Sequence, residues 1–477
     1  MPALTATRPG GAARPAPPDV SPRFEPLPWP MLAVGAAALL VVGVAAGLAV
    51  SRAANLEGAA PALLGVALAS VLAVLAATRF WAVVVLLFAV RSSLDHLKLG
   101  GVLNDTLSPS VVVGIMFLLS GAAWLAAQWW SKELRPFSAS SRWFLAFAGA
   151  CLLSALGSAG PVTSAQSALK VASGALMLAV LEQAYRQRPE RLKTLLAAVA
   201  ASLVVPAWVG LAQATSGAGA DQYLEVSRIR GTFVHPNPFA TWLVLVAVSA
   251  LALWPHLAGA ARAAAGLAAA VTLPLVVLTY ARGAWIAFGL GVVVIGACQS
   301  RRLIVGLIVA SLALVTLVPS ISARLSDLDN ERQAGRGDPN SLSWRISYWG
   351  KLLPLAAHAP VTGIGLDQVV ATSEEKLQPH NSFVQALVET GVVGLGCLLG
   401  LVASLAVELR RAIRNAALGL ERGAAVAAAA AAIGVASQLV SENLLTQAML
   451  HWYLAAIVGF ALAVPLARSA ATAPAQP

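Results

Sequence analysis

PNPFATWLVLVAVSALALW, residues 236–254, holds no charged side chain from Pro236 to Trp254. About 20 mostly apolar residues suffice to cross the hydrocarbon of a bilayer as a helix. In a soluble protein such a run would be a wholly buried core helix. Composition argues against that: of 477 residues, 58% are hydrophobic and only 11% charged. Soluble domains carry roughly a quarter charged residues. So few charges leave a soluble domain of this size without a surface. They equally exclude a disordered chain, which would be polar and charged.

Similar runs lie on both sides of 236–254. Toward the N-terminus they fall at about 31–50, 60–78, 80–90, 109–130, 142–158, 165–184 and 193–213; toward the C-terminus, at 263–280, 283–299, 303–319, 382–406, 423–440 and 448–466. Together they make 14 segments. The segment 80–90 is short for a span, and one reading pairs it with its predecessor as a bent hairpin around Arg79. The run from Met31 is too long and too far from the start for a cleaved signal peptide. The expected fold is an all-α, polytopic integral membrane helical bundle of about 12–14 transmembrane helices. The expected divisions are a Pro-rich disordered tail at 1–30, helices across 31–319, a long loop with amphipathic helices at 320–381, three helices across 382–467, and a tail at 468–477.

Lys and Arg number 32 against 21 Asp and Glu, a net charge of +11. The basic residues do not gather on one polar segment, so nucleic acid is not an expected partner. Their placement reads as topology instead. With the N-terminus in the cytoplasm and sides alternating, 19 of the 32 fall inside, among them Arg186, Arg188, Arg191, Lys193, Arg410, Arg411 and Arg414. Six occupy short outer loops: Arg52, Arg91, Lys98, Arg228, Arg230 and Arg282. This bias puts the long loop on the periplasmic or extracellular side. Cys151, Cys298 and Cys397 lie within or at the end of apolar runs with no CxxC spacing, which reads as buried thiols and not a metal or disulfide framework. Matched broken helices or internal repeats, common in transporters, are not visible.

Three outer-face stretches carry chemistry. In the first, Arg228-Ile-Arg230-Gly-Thr-Phe-Val-His235-Pro-Asn237, two arginines precede a proline-bounded helix start. Arginine suits bidentate phosphate binding, although interfacial arginines also snorkel to lipid headgroups. In the second, Tyr280-Ala-Arg282-Gly-Ala-Trp285, an arginine occupies a tight turn with no carboxylate near it in sequence. Either an anionic ligand or a distant carboxylate such as Glu442 would pair it. In the third, Pro379-His380-Asn381-Ser382, an imidazole sits where the long loop meets the next span. A histidine there is mostly neutral at pH 7 and can serve as a base, while Asn381 or Ser382 can cap the helix. Glu389 is nine residues on, roughly 13 Å along a helix, too far to pair with His380 and better placed for hydrogen bonding inside the bundle. Within the long loop Trp344, Tyr348 and Leu352 share one helical face, flanked by Arg345 and Trp349, as in an amphipathic helix on the membrane or a cap packed over the bundle. Glu442 and Asn443 fall in the last outer loop.

The ordered set resembles the O-antigen ligase and O-antigen polymerase superfamily. The matching stretches run from Arg230 through His235 to Ala240, from Ala281 to Trp285, from Arg345 through Trp349 to Gly363-Ile-Gly365, and from Pro379-His380-Asn381 to Glu389-Thr-Gly391-Val-Val-Gly394. The resemblance covers about residues 195–407. One departure is Ala281, where the family often has Ser. The resemblance implies a bacterial inner-membrane, multi-pass glycosyltransferase of the GT-C type, with its active site facing the periplasm. It would use no metal and no cofactor. The donor would be a glycan on undecaprenyl diphosphate; the acceptor would be the lipid A core in a ligase, or another lipid-linked repeat unit in a polymerase. Membrane lipids would be its other partners. His380, Arg282 and Arg230 would then be catalytic. Arg228, His235, Asn237, Arg345, Trp349, Asn381 and Glu442 would bind substrate.

The residues fit that chemistry. No nucleoside triphosphate is available on the outer face, so the donor must bring its own leaving group. A diphosphate leaves well once its charge is neutralised, which arginines can do. His380 can take the proton of an attacking hydroxyl, and in-line attack inverts the anomeric carbon. The rival is a transporter of lipid-linked glycan, which would need polar residues continuing through the membrane; Lys170, Glu182 and Glu389 are the few on offer.

Overall fold

The computed structural model describes residues 60–94, 109–223, 226–326 and 341–472. The expected tail at 1–30, the run at 31–50 and residues past 472 lie outside these. Helices dominate the described chain: α1 (Ala60–Leu94), α2 (Pro109–Trp130), α3 (Ala139–Leu156), α4 (Pro161–Gln187), α5 (Arg191–Ser202) and α6 (Val204–Ser216). A two-stranded antiparallel hairpin, β1 (Asp221–Tyr223) and β2 (Val226–Arg228), follows. Then come α7 (Pro236–Leu253), α8 (Gly259–Leu278), α9 (Arg282–Cys298), α10 (Arg302–Leu317), α11 (Pro319–Ser326), α12 (Ser341–Leu352), α13 (Val369–Thr372), α14 (Ser382–Asn415), α15 (Leu420–Gln438) and α16 (Ala448–Thr472). Among the described residues, eight helical stretches are long and apolar enough to cross a membrane, and three more apolar helices are shorter. The chain is an all-α, multi-pass membrane protein.

Two expectations are sharpened. The runs 60–78 and 80–90 are two arms of α1 that meet at Arg79, whose φ of −141° and ψ of 52° interrupt the helix. The run 193–213 is α5 and α6, which meet at Leu203, three residues before Pro206. That proline cannot donate the amide hydrogen that a continuous helix would need at residue 206.

Without a hydrophobic force between helices in lipid, close approach of small residues does the packing. The alanine-rich α15 lies against α7 and α9. A Cβ on Gly291 would stand 2.7 Å from Val248, and one on Gly434 would stand 3.2 Å from the Ala287 carbonyl oxygen. Outward, α10 buries no side chain, and Val305, Ile308, Val309 and Leu312 are exposed along it. Such a face suits contact with lipid.

The connections sort into two ends. At one, Glu182 accepts from Ser138 N, Ser138 Oγ and Ser141 Oγ and pairs with Arg186, while Glu408 accepts from Ala139 N and Ser140 N. Two carboxylates thereby satisfy the free amides where α3 begins. The opposite end gathers 158–164, 228–237, 279–283, 359–391 and 439–447.

At that end, residues 359–369 wedge against a break in α14. Gly391 there has φ 65° and ψ −169°. Ile364 N donates to Val388 O, Gly365 N to Glu389 O, and Val392 N to Pro360 O. A Cβ on Gly363 would lie 2.2 Å from the Glu389 carbonyl carbon, so only glycine permits the approach. Buried Glu389 accepts from Asp367 N, Val369 N and Gln385 Nε2 at 2.8, 3.0 and 2.9 Å. Its role is to hold this loop. The apolar face of α12 does not rest on lipid: Tyr348 and Leu352, each 1% exposed, pack with Val369 and Val388 in a small core of their own. The helix is a packed cap.

Candidate active site

Four backbone segments meet at the capped end of the bundle. The entry to α14 is stitched to the α15–α16 connection: Ser382 N donates to Leu439 O at 2.7 Å, Ser382 Oγ donates to Glu442 O at 2.7 Å, and Leu444 N donates to Ser382 Oγ at 3.1 Å. Asn381 caps α14, its Oδ1 accepting from Phe383 N and Val384 N. The α12 cap fixes the residue before the histidine, with Trp349 Nε1 donating to Pro379 O at 2.7 Å. The start of α7 joins through side chains.

That last connection is a relay. Arg228, 6% exposed, donates from Nε to Thr279 O at 2.9 Å and from Nη2 to Asn237 Oδ1 at 2.7 Å. Asn237 Nδ2 donates in turn to Glu442 Oε1 at 2.9 Å. Arg345 approaches Glu442 from α12 and donates to Ser441 O at 3.1 Å. Burial pushes the Glu442 carboxyl up, opposed by Arg345, the Asn237 hydrogen bond and Arg228.

These groups enclose a cleft of about 180 Å³ lined by His235, Asn237, Gln378, His380, Glu442 and Asn443, with Pro238, Thr241, Leu444, Thr446 and Gln447. His380 is held with φ at 51°, a left-handed conformation uncommon outside glycine and costly enough to mark a functional constraint. The edge of Trp344 faces its ring at 6.4 Å. Burial lowers its pKa to about 4, and Arg345 and His235 push the same way. The imidazole is therefore neutral at physiological pH, as a base must be. His235 is lowered too, by burial first, with Arg228 and Arg230 assisting and Asp221 opposing.

The other two arginines differ in placement. Arg282 opens α9 at the rim: its neighbour Gly283 approaches Ser441, while Thr279 takes the Arg228 bond. Arg230 is tied to its own loop, donating to Gly219 O at 2.9 Å and Val234 O at 3.1 Å, and does not line the cleft. The cleft also holds Gln378, which the sequence does not single out, and Asn443, which it places in the last outer loop without a role; each has a buried amide oxygen lacking a partner. A neutral amide has no distinctive spacing; the available signal was adjacency, Gln378 two residues before His380 and Asn443 next to Glu442.

One consequence concerns pH. The acid limb of kcat/KM follows the base of the free enzyme. Arg345 disfavours the imidazolium, so Arg345→Gln raises the His380 pKa and, with His380 as the base, moves that limb to higher pH. A pH–rate profile reads this shift, and an unmoved limb would remove Arg345 from the electrostatics of the base.

The chain matches no curated protein. Residues 267–399 match the family model described as O-antigen ligase. The match takes in the Arg282 turn, the α12 cap, the docked loop and the His380 entry to α14, and over that stretch it supports the resemblance to the O-antigen ligase superfamily.

Proposed function

We propose that the protein transfers a glycan from undecaprenyl diphosphate to an acceptor sugar hydroxyl, such as one on the lipid A core, at the periplasmic face of the bacterial inner membrane. The observation that carries this reading is a neutral, half-buried histidine in a cleft whose wall is tied to Arg228 through Asn237 and to Arg345 through Ser441, with the Arg282 turn beside Ser441. His380 takes the proton of the acceptor hydroxyl. The freed oxygen bonds to the anomeric carbon from the face opposite the diphosphate. The carbon–oxygen bond to phosphate breaks, and its electron pair leaves on undecaprenyl diphosphate. The arginines bind that growing negative charge more tightly than the ground state, which is the condition for speeding the step. The sugar inverts and no metal takes part. The positive-inside count supports the periplasmic assignment.

A polymerase would need the same grip and the same base, with a second lipid-linked repeat as acceptor. Purified protein in proteoliposomes, given lipid-linked glycan with and without lipid A core, separates the two. Product that requires the core is the expected result. Longer lipid-linked chains without it would make the protein a polymerase, and glycan moved across the bilayer with no new glycosidic bond would reject both.

A further inference from the structure

We infer that Asn443 positions His380, its side-chain oxygen accepting the Nδ1 proton so that Nε2 is left free as the base. The inference rests on His380 being that base. The Asn443 amide lies 3.4 Å from His380 Nδ1. Both residues are carried on the two backbone segments that Ser382 laces together, so the distance is set by rigid neighbours. Asn443 is the described side chain that reaches Nδ1.

The amide has two orientations of identical shape, and oxygen and nitrogen are assigned from the hydrogen bonds they make. They give the imidazole opposite roles. With nitrogen toward His380, Nδ1 is an acceptor, the ring proton sits on Nε2, and no lone pair remains for a base. In that orientation the Asn443 oxygen is also buried without a partner. With oxygen toward His380, Nδ1–H is the donor and Nε2 is free. The amide nitrogen then takes the buried position in the cleft wall that the oxygen held. A base oriented by a third group in this way is the general arrangement for activating a hydroxyl.

The charged and titratable groups around the ring are Arg345 from α12, His235 at the start of α7, and Glu442 on the same connection, with Arg228 behind Asn237. Arg345 and His235 disfavour the imidazolium, so orientation of the neutral ring, and not its charge, is what Asn443 contributes.

Asn443→Asp discriminates, because a carboxylate accepts and cannot donate. It is expected to transfer glycan within about tenfold of wild type. Its acid limb should lie at higher pH, since a carboxylate beside the ring favours the imidazolium. Asn443→Leu removes the acceptor and is expected to lose at least about tenfold in kcat with KM little changed. A folded Asn443→Asp as inactive as Asn443→Leu would overturn the inference, as would wild-type kcat and pH profile in Asn443→Leu. Should the aspartate variant not fold, ¹⁵N spectra of the wild-type protein decide. The chain has six histidines, and the His380 signals are identified by their loss in His380→Asn. An Nδ1–H tautomer is expected, and Nε2–H refutes the assignment. Full transfer by His380→Asn would instead defeat the base itself, whatever Asn443 does.

Discussion

His380→Asn lowers glycan transfer by about 10²- to 10⁴-fold, the usual worth of a positioned general base, while the protein inserts and melts as wild type. Asparagine is chosen because residue 380 has φ 51°, and Asn tolerates the left-handed region where Ala would add strain. It keeps a polar side chain beside Trp344 and in the cleft but cannot take a proton near neutral pH. The loss should fall on kcat. Donor binding, measured as retention of lipid-linked glycan, should persist, because the proposed mechanism assigns the diphosphate to arginines and not to the imidazole. Transfer at the wild-type rate would refute the mechanism. Loss of donor binding with the rest intact would recast His380 as a ligand-binding group.

Gly391→Ala destabilises the protein by about 3 kcal/mol or more, from backbone strain and direct overlap together. Its φ of 65° with ψ of −169° falls in a region essentially reserved for glycine. A Cβ there would stand 2.2 Å from the Val361 carbonyl oxygen. The clash pushes residues 359–365 out of the break in α14. The amides of Asp367 and Val369 then leave Glu389, stranding a buried carboxylate. The α12 core loses Val388 and Val369 as neighbours, and Trp349 no longer fixes Pro379. Thermal unfolding in detergent should fall and transfer should be lost with it. Gly396→Ala on the same helix, where a Cβ meets nothing within 4 Å, is the control and should be neutral. An unchanged melting temperature in Gly391→Ala would mean that the loop does not dock as described.

Hydropathy periods are local, so each apolar run from 109 onward could be read without knowing its neighbours, and each is helical, 193–213 as two helices that meet at Leu203. The Arg228–Asn237, Arg282 and His380 stretches were legible for a related reason: arginines in short outer loops oppose the insertion bias, and a histidine at a helix entry is uncommon enough to notice. Their order along the chain carried the family resemblance, and the family match at 267–399 agrees. The face of α12 was legible as amphipathic, but what it covers was not, because apolar periodicity does not say whether lipid or protein receives it.

Distances between remote segments decide the rest. Arg228 bonds Thr279 across 51 residues, Asn237 bonds Glu442 across 205, and His380 meets Asn443 across 63. Nothing in a linear pattern ranks Arg345 above Arg230 as a neighbour of the base. The fold makes that choice by sending the Arg230 guanidinium to its own loop carbonyls and packing α12 over the cleft. Likewise nothing in the sequence singles out Gly363 in the long loop or Gly391 inside the apolar run 382–406 as an obligatory glycine. Their need for glycine appears only when two backbones approach closer than any Cβ allows. Composition and period therefore determined the all-α membrane bundle, since both follow from local transfer energies. The cleft and its base arise from contacts between segments far apart in the chain, whose geometry exists only once the helices have packed.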